Sequence, residues 1–295
     1  MTLQNYLHAS RSLAKLDSLR PLCEKVVNEI YLSKLVELTS DRDLPADLIY
    51  SAALNFVAPR NPLVSVQGGT LPKNSELAGQ KVVDFEIGKY PVTLEEWQGI
   101  RNWAVENGFD IAKGTGDGPT HPVVLISWYD CVKWCNAKSL MEGLQTIYRV
   151  KGENDCFRAG DFDSDESQNI VRYTGNGYRL PTEAEWEWAA RGGCQSQNYK
   201  YAGSNNLNAV GWYIKNSGGA THAVGEKSAN ELGLFDMSGN VLEWCWNFDP
   251  ANHRIRRFRG GCWDNDDIHC AVSWQYGCTP DNRDSGYGLR IARSL

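Results

Sequence analysis

Between residues 82 and 92 the chain runs V-V-D-F-E-I-G-K-Y-P-V, with Val83, Phe85 and Ile87 alternating against Asp84 and Glu86. A period of two sends neighbouring side chains to opposite faces, so this stretch predicts a half-buried strand. Elsewhere the rhythm is helical. Thr93 followed three residues later by Glu96 is a capping-box signature, opening a helix through Trp97, Ile100 and Trp103. A second helix starts at Ser127, with Asp130 in the same relation, and sets Trp128, Cys131, Val132 and Cys135 on one apolar face. A third begins at Thr182 after Pro181, pairs Thr182 with Glu185, carries Trp186, Ala189 and Ala190, and stops at Gly192-Gly193. Ahead of these, residues 8–38 place Leu13, Leu16, Leu19, Leu22, Val26, Ile30 and Leu35 near three-and-four spacing, interrupted at Pro21. The expectation is a helical segment within residues 1–60 packed on a main domain of residues 61–295. Residues 44–77, with four Pro and a Gly-Gly, read as a connector holding at most one short strand.

The run from Arg259 to Leu295 breaks both rhythms. It opens with R-G-G-C-W and closes with Y-G-L-R-I-A-R-S-L. Between these brackets lie Asp264, Asn265, Asp266, Asp267, Ile268, His269, Trp274, Tyr276, Gly277, Cys278, Asp284, Ser285 and Tyr287, which follow neither period. A buried loop could not pair its own backbone groups, so a long irregular segment belongs on the surface, where binding usually resides. Residues 196–232, rich in Asn, Ser and Gly, read as ordered loop for the same reason.

Composition sharpens this picture. Eleven Trp, thirteen Tyr and eight Phe supply ample apolar area despite the low mean hydropathy, so the fold needs no covalent staples. The net charge of −6 and the absence of a basic stripe argue against a nucleic-acid partner. No apolar run approaches the ~20 residues of a membrane span. Nine Cys, an odd number without C-x-x-C pairs, leave at least one thiol unpaired within the chain. Cys131 and Cys135 are one helical turn apart, but no second pair follows at zinc-site spacing, so they read as core residues. The acidic D-F-D-S-D-E-S of 161–167 lacks the Gly and Glu of a calcium-binding EF-hand loop and reads as a solvated insertion.

Four motifs in order, Y-R-L-P-T-E-A-E-W-E-W-A-A-R-G-G (178–193), G-L-F-D-M-S-G-N-V-L-E-W (233–244), R-G-G-C-W (259–263) and G-L-R-I-A-R (288–293), resemble the formylglycine-generating-enzyme, or sulfatase-modifying-factor, family. The resemblance covers about residues 80–295. It implies an α+β C-type lectin fold of the formylglycine-generating-enzyme subclass, poor in regular structure, with small antiparallel sheets and a few helices. In that fold the first and last strands pair, and Leu289 and Ile291 share the period of Phe85 and Ile87.

The enzymology carries over poorly. Oxidase members use R-G-G-S-x-x-C-H-x-x-x-C, whose second cysteine falls on Cys270 while the first falls on Asn265 and the neighbouring His on Asp266. A carboxamide is neither a copper-binding thiolate nor a disulfide partner, so no catalytic residues are expected. The alternative, a formylglycine-generating-type oxidase or a non-haem iron enzyme of the same fold, requires ligands that His8, His121, His222, His253 and His269 do not offer at paired spacing. No cofactor is expected beyond a calcium ion in the G-N-V-x-E-W turn, where Asp236 and Glu243 are candidate carboxylates and Gly239 and Val241 candidate carbonyls. The same groups equally serve to hydrogen-bond the turn.

The C-terminal block is also similar to the variable region of diversity-generating-retroelement proteins. It carries their P-D-N-R as Pro280, Asp281, Asn282 and Arg283, and the G-x-R-I-A-R-S-L ending. In such systems adenines are randomised, so an Asn codon never becomes Lys or Glu, and residues 262–287 contain neither. The resemblance implies a ligand-binding, receptor-like protein with a variable region at 259–295. Its ligand would be a protein or other macromolecule, and its display would be at a cell surface or outside the cell. Trp274, Tyr276 and Tyr287 would be aromatic anchors, and Asp264, Asp267 and His269 would add polar selectivity.

Overall fold

A computed structural model describes residues 61–161 and 169–295, and the chain divides into two units, Met1–Arg60 and Asn61–Leu295. The helix expected at 8–38, the packing of residues 1–60 and most of the acidic insertion lie outside the described residues. In chain order the strands are β1 (Leu63–Val66), β2 (Gly69–Thr70), β3 (Lys81–Val82), β4 (Phe85–Gly88), β5 (Tyr148–Val150), β6 (Ile170–Arg172), β7 (Tyr178–Arg179), β8 (Leu242–Phe248), β9 (Arg256–Arg259), β10 (Gln275–Cys278), β11 (Tyr287–Gly288) and β12 (Ala292–Ser294). The helices are α1 (Leu94–Glu106), α2 (Trp128–Met141), α3 (Glu183–Ala190) and the single turn α4 (Leu207–Val210). No helix among the described residues is long and apolar enough to cross a membrane.

One sheet, ordered β1-β4-β12-β7, closes the domain by pairing its last strand with β4, which separates it from the first strand, β1. Ala292 lies opposite Ile87 and Ser294 opposite Phe85, while Phe85 and Ile87 are fully buried. The expected alternation fails at one residue. Val83 is 74% exposed, because the strand breaks between β3 and β4, where the Asp84 carboxylate accepts the Gly68 N–H at 2.8 Å. A Cβ on Gly68 would lie 2.3 Å from the Val82 carbonyl oxygen, so only glycine permits this crossing. The connector also holds two strands rather than at most one. Pro62 and Pro72 flank β1 and β2 without interrupting them, and both strands find antiparallel partners in β4 and β3.

The helices begin where their caps predict. The Thr93, Ser127 and Thr182 side chains accept the N–H groups of Glu96, Asp130 and Glu185, and the last two pairs are reciprocal. Glu96 instead turns inward to Lys138, 3.7 Å away, and burial pushes its carboxyl up to about 7. Helix α2 is buried on nearly every side rather than on one face. Lys133 is drawn in by Asp161 at 3.0 Å and Lys138 by Glu142 at 2.8 Å, which makes burial of two ammonium groups tolerable. Cys131 and Cys135 are fully buried, and burial pushes both thiols upward.

The core around α2 is aromatic, and each indole nitrogen in it has a carbonyl. Trp97 stacks on Trp134 at 5.6 Å, and the nitrogens of Trp128, Trp134 and Trp244 donate to Cys245, Trp97 and Ile126. Arginine and glutamate form a second interior system. Arg259 bonds Glu183 at 3.1 Å and Glu187 at 3.0 Å, Arg191 bonds Glu187 at 2.7 Å, and Arg179 makes two bonds to Glu185. Arg290 grips Glu243 and donates to the carbonyls of Gly88 and Phe235 at 2.8 and 2.7 Å. These groups are buried yet paired, which is the condition for charge to persist in an interior.

Candidate functional site

The second four-stranded sheet, ordered β10-β9-β8-β11, carries the C-terminal loops. Tyr276, Phe258 and Trp244 stand directly opposite one another across three strands. Ring centroids are 6.4 Å apart for Tyr276 and Phe258 and 3.7 Å for Phe258 and Trp244. Tyr287 leans on Phe258 at 4.3 Å, Trp274 stacks on Tyr276 at 5.8 Å, and His269 meets Trp274 edge-on at 4.6 Å. Cross-strand aromatic pairs of this kind stiffen a sheet by roughly 0.2–1 kcal/mol each. The ladder starts in the core at Trp244 and emerges at Tyr276, which is 46% exposed.

What ties the loops to this ladder is main chain. Arg259 donates to the carbonyls of Val272 and Trp274. Backbone N–H groups of Ile214, Trp128, Leu125 and Leu242 donate to the carbonyls of Asn265, Pro280, Asp284 and Gly286, and the Trp263 indole donates to that of Ser285. Side-chain identity at 265, 274, 284 and 285 does not enter these bonds. The P-D-N-R turn is held by a side chain as well. Arg283 reaches Asp130 at the start of α2 (2.9 Å) and Asp161 (3.1 Å), clamping the loop onto the helix by charge.

Every ligand-contact residue singled out in the C-terminal run retains solvent exposure. Asp264, Asp266, Ile268, Tyr276, Asp284 and Ser285 are exposed, while Asp267, His269, Trp274, Gly277, Cys278 and Tyr287 are half-buried. They differ in freedom. Asp266 accepts the N–H groups of Ile268 and His269 and lies 2.6 Å from the His269 Nδ1, so it shapes its own turn. Asp267 is held by Lys200 and Tyr201, each at 3.2 Å, and the hydrogen bond from Lys200 keeps its carboxyl below the usual range. Gly277 offers backbone alone, because a Cβ would lie 2.5 Å from Ile255 Cγ2 and 2.7 Å from the Arg256 carbonyl oxygen. Burial pushes the Cys278 thiol up to about 12 and the Tyr287 hydroxyl above its ordinary range.

The sequence reading missed the contribution of the 200–215 loop. Lys200 and Tyr201 reach the C-terminal segment through Asp267, and Ile214, itself 58% exposed, does so through its backbone. A tyrosine and isolated apolar residues within an otherwise polar stretch were the available signal.

At the positions matching the oxidase motif, Cys270 is fully buried with its thiol pushed up to about 12 by burial. Asn265 forms a turn, accepting the Cys262 N–H and donating to Asp264, each at 3.2 Å. The candidate calcium residues divide. Asp236 Oδ2 accepts the Gly225 N–H at 2.8 Å, while Oδ1 is buried without a partner among the described residues, and burial pushes the carboxyl up to about 6. Glu243 is already saturated by Arg290, through contacts of 2.8–3.1 Å, and by the Trp186 indole at 2.6 Å. Glu243 therefore has no oxygen to spare for a cation, and Asp236 Oδ1 alone falls short of the six or more oxygens that calcium takes; no cluster of three or more His, Cys, Asp or Glu side chains suited to a metal occurs among the described residues.

The family model described as sulfatase-modifying factor enzyme 1-like domain matches residues 54–295. The chain belongs to this family. It is 35% identical over 262 residues to chaperone protein LppX of Paenibacillus barcinonensis, covering 79% of this chain and 89% of that protein. The solved structure of CarF matches with a TM-score of 0.70 and 29% identity, covering 79% of this chain and 98% of that one. Treponema denticola variable protein 1 matches with a TM-score of 0.67 and 31% identity, covering 79% and 95%. The fold is thus the α+β, C-type-lectin-like fold of the formylglycine-generating-enzyme subclass, related to that of a variable protein.

Proposed function

We propose that the face around the Trp274–Tyr276–Tyr287 ladder is a receptor surface for a protein ligand, diversified from one version of the chain to another on a constant frame. The observation that carries this reading is the main-chain anchoring of residues 265–286 to the frame, with Asp264, His269 and Asp284 bonded only within their own turns while the Asp267 and Arg283 side chains reach other segments. Amphipathic rings supply contact area at low entropic cost, and Asp264, Ile268, His269, Asp284 and Ser285 surround them as replaceable contacts. The similarity to a variable protein supports the reading, and a relative described as a chaperone favours a protein as partner. Asn265 in place of a thiol supports a binding role over oxidase chemistry. Display at a cell surface or outside the cell suits such a receptor.

Two experiments test this. A library varied at Asp264, Ile268, His269, Asp284 and Ser285, displayed and selected against lysozyme as a model protein, should yield folded, specific binders. If folded binders never emerge, the frame is not a tolerant one and the reading fails. Sequencing beside the gene should find a reverse transcriptase and an adenine-bearing near-copy of the terminal coding stretch; their absence removes diversification.

A further inference from the structure

A cleft of about 790 Å³ opens among the segment 143–147, the end of β6 with the turn after it, Arg179 of β7, Trp246 of β8 and the end of β12, sharing no lining residue with the receptor face. Its volume lies in the range of small-molecule sites. Trp246, Ile147 and Tyr173 give it apolar walls, and Arg172 and Arg179 bring two guanidinium groups to it.

The two arginines are placed differently. Arg179 is fully committed, with two bonds to Glu185 at 2.7 and 2.8 Å and one to the Ser294 hydroxyl at 3.1 Å. Arg172 has no ion-pair or hydrogen-bond partner among the described residues, although it is only partly exposed. Burial, and then the neighbouring Arg179, hold its guanidinium below the ordinary arginine range. With Arg179 committed to Glu185, Arg172 is the cation left to face the cleft, within low-dielectric walls where an anion is attracted more strongly than at an open surface.

We propose that this cleft binds a small organic carboxylate, with the carboxylate on the Arg172 fork and an apolar body against Trp246 and Ile147. The planar guanidinium matches a carboxylate through two parallel hydrogen bonds, and the indole wall favours a ligand with a ring or chain over a bare inorganic anion. Arg179 holds position behind Arg172 through Glu185 and adds field without giving up its own partner.

Calorimetric titration of the full chain with 3-phenylpropionate tests the assignment. The expected result is one saturable site, with 3-phenylpropanamide at least about tenfold weaker because it lacks the charge. Arg172→Gln should also weaken binding by about tenfold or more, with Arg172→Lys in between, as a point charge replaces the fork. Thr174→Trp, at an exposed lining position, should block the cleft with every charge intact, and it serves if Arg172→Gln fails to fold. Three results overturn the proposal: no heat from 3-phenylpropionate up to about 10 mM, unchanged affinity in both variants, or inorganic phosphate binding as tightly as the carboxylate. Tyr276→Ala should leave this titration unchanged, which separates its outcome from that of the receptor reading.

Discussion

Two parts of the C-terminal sequence, a few residues apart, are held by opposite means. In the flanking stretches the side chains carry the bonds, with Arg259 and Arg290 fully buried and spent on Glu183, Glu187 and Glu243. In the span between them, apart from side chains such as Arg283 and Asp267, the backbone carries the bonds to the frame, and Asp264, Ile268, Tyr276, Asp284 and Ser285 project into solvent. Residue identity is fixed where a side chain is the only group able to satisfy a buried charge. It is free where a carbonyl, common to every amino acid, makes the attachment.

The sharpest way to break this contrast is at Arg290. Arg290→Met leaves Glu243 buried with its principal cation gone and should cost roughly 3–5 kcal/mol in urea unfolding. A loss under 1 kcal/mol would mean that the flanks are as permissive as the span between them. Asp236 tests the frame through pH. Its folded value of about 6 lies above the ordinary 3.8, so the folded state holds the proton more tightly than the unfolded state. Stability from this group is complete below about pH 4 and is lost as pH rises through 6. Asp236→Asn should reduce the difference in unfolding free energy between pH 4 and pH 7 by ~1–3 kcal/mol, measured by urea titration at both values. Trp274→Ala should cost ~1 kcal/mol of stability, since the ring is half-buried, yet weaken a selected protein ligand by about a hundredfold. Smallest of all, Ile268→Ser and Ser285→Tyr should each shift the unfolding free energy by less than about 0.5 kcal/mol. A larger effect from either would show that the exposed span is part of the frame.

Helices α1, α2 and α3 were legible because Thr93, Ser127 and Thr182 announce themselves locally, and the closing sheet because Phe85 and Ile87 keep a strict period of two. The exposure of Val83 was not legible, since it follows from a contact between Asp84 and Gly68, sixteen residues away. The burial of Lys133 and Lys138 likewise rests on carboxylates supplied by other segments. For the C-terminal loops, irregularity alone pointed to an exposed position, but the donors of Ile214, Leu125 and Trp128 have no signature in sequence, because any residue offers the same N–H. Nor does sequence distinguish Gly277, forced by Ile255 and Arg256, from a glycine in open solvent.

Strand β12 lies between β4 and β7 in the closing sheet, so it is a central strand rather than an edge. A ribosome must therefore finish the stretch between Arg259 and Tyr287 in frame before the domain can shut. Any premature stop or frameshift there deprives β4 and β7 of their shared partner and leaves a chain for proteases to clear. The pairing of β12 thereby checks the reading frame through the loops: a product that folds is one whose downstream sequence was read correctly.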